Sequence, residues 1–132
     1  MAARDRAVWD ESFNTTTDLS AKQFYAVKMS ALDTVAIASA ATDRCIGILQ
    51  NDPKANQACD VRILGMTKAV SDGSGTAIAV GDLVGPDSTG KMIKKATADY
   101  NVMGVAMDAS SASGTVIGVA MTPMALWRTT LG

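Results

Sequence analysis

The sequence contains no histidine, the side chain that most often serves as a general base or a metal ligand. The spacing of the two cysteines, Cys45 and Cys59, does not fit a Cys-x-x-Cys motif, and no further soft ligands accompany them. We interpret them as two buried, reduced thiols; a disulfide, a redox pair and half of a metal site are the alternatives. The sequence therefore predicts a protein without catalytic residues, metal or cofactor.

Long apolar runs and charge of one sign are also missing. No segment approaches the roughly 20 apolar residues of a membrane helix, and the N-terminus carries charges where a signal peptide has an apolar core. Lys and Arg number 12 and Asp and Glu 13, whereas nucleic-acid-binding domains usually have a basic excess. We expect no membrane or nucleic-acid partner, and we expect the protein to stay in the cytoplasm where it is made.

Aromatic residues make up 5% of the chain although 48% of it is hydrophobic, so the core must consist of small aliphatic side chains and methionine. A length of 132 residues suits one domain. Residues 1–22 show no steady period and predict an extended N-terminal arm. Residues 23–123 are expected to form a β-rich body, and residues 124–132 a short C-terminal tail.

The body shows short alternating or β-branched runs that end at turn residues, a pattern typical of an all-β domain. Helix signals are weak. The predicted strands lie near residues 24–30, 34–39, 44–50, 58–66, 67–70, 83–85, 91–95, 101–107 and 114–121.

An internal repeat is the most informative feature of the body. Gly47 and Gly104 lie 57 residues apart in similar strands, and residues 61–67 match residues 116–122 at a spacing of 55. A glycine inside a strand usually marks a bulge, a bend or the close approach of another backbone. We therefore predict two similar hairpin units, at about 24–68 and 81–122, in a small curved barrel; chance similarity of short segments is the alternative.

Residues 85–91 fit the first seven positions of a phosphate-binding loop. The eighth position is Met92, where that loop needs a hydroxyl for magnesium, and the residues that follow are strand-like rather than helical. We interpret the segment as a hairpin turn. The paired carboxylates Asp10 and Glu11 lie in the predicted arm, and a glycosidase-type pair is a minor alternative.

Trp9 and Trp127, the two tryptophans, lie outside the repeated body and near the chain ends. A large aromatic residue in an unpatterned segment is a good anchor for a partner surface. The alternative is that both rings cover open ends of the body itself.

The body resembles a family of small tailed-phage proteins, the capsid cement or head decoration proteins. The similarity covers roughly residues 20–122. It is carried by residues 24–30 (FYAVKMS), 42–51 (TDRCIGILQN), 80–85 (VGDLVG), 90–91 (GK) and 102–106 (VMGVA).

This resemblance implies a small β-barrel or β-tulip fold on the outer face of the virion head, commonly as a homotrimer that clamps major capsid protein subunits. It implies a non-enzymatic structural role, with synthesis in the cytoplasm of the host bacterium. This chain differs from shorter members of the family in its long N-terminal arm and its C-terminal tail. The resemblance therefore does not assign a role to these two segments.

We predict that the two ends of the chain bind the capsid and that Gly47 and Gly104 are structural. The predicted capsid-binding residues are Arg4, Arg6, Val8, Trp9, Phe13, Leu19, Trp127 and Arg128. The alternatives are a tail or baseplate subunit and a displayed module that binds a host receptor or glycan.

Overall fold

The computed structural model describes residues 6–95 and 101–121, and these contain nine β-strands and no helix. This confirms the all-β class. The strands are β1 Arg6–Asn14, β2 Ala26–Ala31, β3 Thr34–Ile37, β4 Cys45–Leu49, β5 Ala58–Asp72, β6 Leu83–Pro86, β7 Met92–Lys94, β8 Gly104–Ala106 and β9 Ser113–Met121.

The nine strands form one sheet in the order β1-β3-β2-β4-β5-β7-β6-β8-β9. Two additional pairings, β1 with β5 and β5 with β9, close this sheet on itself twice. The first ring contains β1, β3, β2, β4 and β5, and the second ring contains β5, β7, β6, β8 and β9. The long strand β5 is shared by both rings, which explains why it spans 15 residues.

The two rings repeat the same strand pairings. Val27 pairs with Gly47 between β2 and β4, and Val84 pairs with Gly104 between β6 and β8. Within residues 6–95 and 101–121, each of the three non-glycine residues with positive φ has a glycine with positive φ 57 or 58 residues later. These pairs are Phe24 and Gly81, Asp33 and Gly90, and Asn56 and Gly114. The two similar hairpin units predicted from the sequence are thus present in the backbone.

The structure changes the predicted alignment of β5 with β9. A Cβ atom added to Gly47 would collide with the carbonyl oxygen of Arg62, and one added to Gly104 would collide with that of Ala120. Arg62 and Ala120 are therefore equivalent, at a spacing of 58 rather than 55. The similarity between residues 61–67 and 116–122 at a spacing of 55 thus does not follow the structural equivalence. Of the three interpretations of the two glycines, a bulge, a bend and a close approach, the structure shows the close approach of another backbone at both.

The N-terminal segment departs from the predicted arm. Residues 6–14 are extended, but they form β1, which runs antiparallel to β5 from the pair Arg6 and Met66 to the pair Asn14 and Ala58. Thr15, which follows, is buried. The period is absent from the sequence because residues 7–12 of β1 are all exposed, so burial does not impose an alternation. The segment is part of the first ring and not a loose extension.

Small aliphatic side chains fill two core clusters. The first is built mainly from the second ring and includes Ile78, Met92 and Ile117; the second lies in the first ring and includes Leu49 and Val61. Cys45 belongs to the first cluster and Cys59 to the second, and both are free thiols, as the sequence predicted. Burial raises the pKa of the Cys45 thiol to about 12, so this thiol is unreactive at neutral pH.

Residues 39–43 form a loop that contacts the second ring. Asn101 Nδ2 donates to the carbonyl oxygens of Thr42 and Asp43, and Lys95 Nζ donates to the carbonyl oxygen of Ala41 over 3.1 Å. The Asp43 carboxylate organises this loop: Lys28 Nζ and the Ser39 amide each donate to it over 2.8 Å. These contacts lower the pKa of Asp43 from 3.8 to about 2, and the hydrogen bond from Lys28 makes the largest contribution.

Acid should therefore lower the free energy of unfolding of the protein by protonating Asp43. A carboxyl group whose pKa is depressed in the folded state adds stability above its unfolded pKa, and this contribution is lost as the pH falls through its folded pKa. The free energy of unfolding of the wild type should exceed that of Asp43→Asn by a constant amount above about pH 4, and the difference should shrink between pH 4 and pH 2. Urea denaturation of both proteins across this range measures it, and a difference independent of pH would contradict the role of Asp43.

Candidate functional site

The first half of β1 exposes an edge of the sheet. One edge of β1 is hydrogen-bonded to β5, whereas on its other edge the described residues pair at a single position, Asn14 with Thr34 of β3. Among the described residues, no strand pairs with the backbone groups before Asn14 on that edge. An exposed strand edge is a template for pairing with a partner strand.

Val8 and Trp9 form the most exposed apolar pair on this strand. The side chain of Val8 is 72% exposed and that of Trp9 is 50% exposed. The pairing register with β5 shifts between Ala7 and Trp9 and again between Trp9 and Asp10, which leaves Val8 without a partner on β5. Such a bulge redirects side chains away from the regular alternation. We name Val8, Trp9 and the open edge of β1 beside them the attachment surface.

Hydrogen bonds fix the conformation around this surface. The Trp9 Nε1 atom donates to Glu11 Oε1 over 2.9 Å. On the next residue, the Asp10 carboxylate accepts two hydrogen bonds from Arg62, at 2.8 Å from Nε and 3.1 Å from Nη2. Arg62 is 8% exposed and also donates to the carbonyl oxygen of Met66, so it fastens β1 to the middle of β5. A bidentate pair of this kind is geometrically specific, and it holds the exposed side chains in place before a partner arrives.

Two predicted capsid-binding residues have a different role. Leu19 is 4% exposed and belongs to the core cluster of the first ring, and its amide donates to the carbonyl oxygen of Pro53 over 2.9 Å. Phe13 is partly buried and packs against the same cluster. Both side chains pack in the core of the first ring, so they are not part of the attachment surface.

Of the other predicted residues, the structure describes only Arg6. Arg4, Trp127 and Arg128 lie outside the described residues, and Arg6 is the first residue of β1. The predicted tail, residues 124–132, also lies outside them. Val8 and Trp9 are the predicted capsid-binding residues that are described and largely exposed.

Several exposed apolar side chains were missed by the sequence analysis. Leu32 is 90% exposed at the tip of the β2–β3 hairpin, and Val80 is 69% exposed in the turn before β6. Leu83, the first residue of β6, is 44% exposed. Leucine beside Asp33 in a tight turn was the available signal for Leu32, since turns favour Gly, Pro, Asn, Asp and Ser.

The structure supports the hairpin interpretation of residues 85–91. β6 ends at Pro86 and β7 begins at Met92, and the Asp87 carboxylate accepts hydrogen bonds from the amides of Thr89 and Lys91 over 2.8 and 3.0 Å. These amides are the groups that a phosphate would need. Within residues 6–95 and 101–121, His, Cys, Asp and Glu form no group of three that could hold a metal ion. In the same ranges no helix has the length and apolar character needed to cross a membrane.

Comparison with known proteins gives a family and a fold. A family model described as phage cement protein matches residues 4–121. The crystal structure of the head fiber gp8.5 N base in bacteriophage phi29 is similar, with a TM-score of 0.61 and 14% sequence identity, over 86% of this chain and 93% of that chain. At this identity the likeness shows the fold alone. No match was found among curated proteins.

Proposed function

We propose that this chain binds the outer surface of the phage head and stabilises the lattice of the major capsid protein. The chain belongs to the phage cement protein family and therefore has a role in decorating the phage capsid. The role is mechanical: a protein that contacts neighbouring shell subunits opposes their separation. The described residues fit such a role because they present exposed apolar side chains and a strand edge for contact. The protein would be made in the cytoplasm of the host bacterium and act in the virion.

The attachment surface is the part of the described structure that best fits a capsid contact. It combines a half-exposed tryptophan, a bulged valine and an open strand edge. Tryptophan is enriched among the residues that dominate binding energy, since its large ring excludes water from the contact. A partner strand could pair with the backbone of β1 while Trp9 and Val8 are covered by apolar groups of the capsid.

Several weak attachments would act together if the protein is a homotrimer. Three copies joined to each other bring three attachment surfaces to the shell, and each contact raises the effective concentration of the others. A trimer can then bind tightly although each surface binds weakly. This arrangement suits a protein that must span the seams between capsid subunits.

Replacement of Trp9 by alanine should weaken decoration of purified, undecorated shells by about thirtyfold or more in Kd, because removal of a central aromatic anchor commonly costs about 2 kcal/mol or more. The fold should be retained because the ring is half exposed and its Nε1 atom donates to Glu11, two residues along the same strand. Occupancy on shells at increasing protein concentration measures the effect, and the heat resistance of the decorated shells should fall in parallel.

Val116→Ala is the matched control for Trp9→Ala. Val116 is 46% exposed, close to the exposure of Trp9, but it lies on β9 away from the attachment surface. Its replacement should leave the occupancy curve unchanged. Equal occupancy for wild type and Trp9→Ala would show that the capsid contact lies elsewhere on the protein.

A further inference from the structure

The contact between the two rings includes a hairpin tip that is seated on a strand. Gly90, at the tip of the β6–β7 hairpin, accepts a hydrogen bond from the amide of Ala26 on β2 over 2.8 Å. The tip is tightly packed, because a Cβ atom at Gly90 would lie 2.6 Å from Cγ2 of Ile37 and 3.3 Å from Cδ2 of Tyr25. Ala26, beneath the tip, is fully buried.

The internal repeat assigns an equivalent to each half of this contact. At the spacing of 57 residues, Leu83 on β6 corresponds to Ala26, and Asp33 at the β2–β3 tip corresponds to Gly90. Within one chain these two halves are not joined: Leu83 is 44% exposed, and Leu32, beside Asp33, is 90% exposed. We name Leu32 and Asp33 the tip surface, and Val80 and Leu83 the acceptor surface.

We propose that copies of this chain associate head to tail, with the tip surface of one copy seated on the acceptor surface of the next. The contact between copies would repeat the contact that joins the two rings inside each copy. This inference goes beyond the proposed capsid binding and assigns a surface to the proposed self-association.

The chemistry of the two surfaces is complementary. Leu32, Val80 and Leu83 are among the most exposed large apolar side chains of the described residues, and the contact would cover all three. The position of Ile37, against which Gly90 packs, corresponds to Lys94 in the second ring. Lys94 Nζ lies 3.7 Å from the carboxylate of Asp82, whose position corresponds to that of Tyr25, so the tip residue Asp33 would meet an existing ion pair. The match between the two surfaces is therefore apolar, through Leu32, Val80 and Leu83.

The tip surface is separate from the attachment surface. Asn14, at the end of β1, donates its amide hydrogen to the carbonyl oxygen of Asp33 over 2.7 Å, so the tip lies beside the last residue of β1. Trp9 lies five residues earlier on the same extended strand, roughly 16 Å away at the rise of a β-strand. A copy joined to its neighbours through the tip can still present Trp9 to the capsid.

A contact between two different surfaces gives a closed ring when its rotation closes and a filament when it does not. This property separates it from a two-fold contact, in which each surface meets itself.

Leu32→Asp removes the tip surface and keeps the acceptor surface, and Leu83→Asp removes the acceptor surface and keeps the tip surface. Both side chains are exposed, so neither change should disturb folding.

Sedimentation velocity of four purified full-length proteins tests the proposal: wild type, Leu32→Asp, Leu83→Asp and the control Val116→Asp. We expect an oligomer for the wild type and the control, and a 13.6 kDa monomer for each of the other two. An equal mixture of the two monomeric variants should give dimers and nothing larger, because each mixed pair has one intact tip surface and one intact acceptor surface.

A wild-type monomer at the highest attainable concentration would overturn the head-to-tail contact, and so would an oligomer that survives Leu32→Asp or Leu83→Asp. A mixture that stays monomeric would overturn the pairing of these two surfaces. These results test the contact between copies; the contact of a single copy with the capsid is measured independently by the binding of Trp9→Ala to shells.

Discussion

Removal of residues 1–19 is expected to abolish the native fold. The deleted segment contains β1, whose pairing with β5 closes the first ring from Arg6 and Met66 to Asn14 and Ala58. It also contains buried Thr15 and Leu19. Without it, the β1-facing edge of β5 and the second core cluster would be exposed to water. The four remaining strands of the first ring would then have to stay folded without β1.

The expected loss is comparable with the whole stability of a small domain. Truncation of a single buried leucine costs about 2–5 kcal/mol, and Leu19 is one of several groups lost here. The total free energy of unfolding of a domain is about 5–15 kcal/mol. Loss of the β1 hydrogen bonds, of Phe13 packing and of the Asp10 partner of Arg62 adds to the cost of Leu19. The truncated chain should therefore be largely unfolded or aggregated at 25 °C.

Circular dichroism and urea denaturation of the truncated and full-length proteins measure this effect. The matched control is the full-length protein with Val8→Thr and Trp9→Ala, which loses the exposed side chains of the segment and keeps β1. We expect a cooperative urea transition for the control and none for the truncated chain. A truncated protein that unfolds cooperatively with near-wild-type stability would show that β1 is a dispensable extension.

The truncation also decides how capsid attachment can be studied. A deletion that unfolds the protein abolishes decoration whatever surface contacts the shell, so loss of binding in that variant carries no information about Trp9. Point substitutions on the exposed face of β1 separate the two effects, because Val8 and Trp9 contribute to the surface while Leu19 contributes to the core.

Strands within the repeated units could be predicted from the sequence, whereas β1 could not. β4, for example, has buried Cys45 and a buried stretch from Gly47 to Leu49, and its apolar run marks it as a strand. β1 has an exposed residue at every position from 7 to 12, so polar and apolar residues follow each other without a period. Its strand conformation depends on pairing with β5, which is distant in the chain. The local sequence pattern therefore does not indicate this contact.

The shared strand β5 was predicted as two strands, at 58–66 and 67–70. The division falls next to Gly65, which has a φ of 116°, near the middle of the continuous strand. The two halves belong to different rings, so their burial patterns differ and the sequence changes character where the strand does not end. A long strand that serves two rings is recognisable once the pairings on both of its edges are known.

The candidate site was partly accessible to sequence reasoning. Trp9 stood out because tryptophan is rare in this chain and lies outside the repeat. Leu19 could not be distinguished from it, since burial in the first ring follows from the tertiary pairing of the segment. Leu32 and Leu83 required the structure, because their significance arises from equivalent residues that are 57 positions away and chemically different.

Replacement of Gly47 by alanine should strongly destabilise the protein. The added Cβ atom would collide with the carbonyl oxygen of Arg62 on the neighbouring strand and lie 2.8 Å from Cγ1 of Val61. Both obstacles belong to β5, where a backbone shift would disturb both rings. Val61 is fully buried, so its side chain has no room to move away. We expect a loss of about 3 kcal/mol or more in the free energy of unfolding, in the upper range for overpacked cores.

Two further alanine substitutions make the Gly47 result interpretable. Gly104→Ala should cost a similar amount, since its Cβ atom would collide with the carbonyl oxygen of Ala120 in the equivalent place of the second ring. Gly75→Ala is the control: nothing lies within 4 Å of its Cβ position, so the change should be near neutral. Urea denaturation of the three variants ranks them. Equal stability for Gly47→Ala and Gly75→Ala would mean that the two strands do not approach as closely as described, and the equivalence of Gly47 with Gly104 would then lose its physical basis.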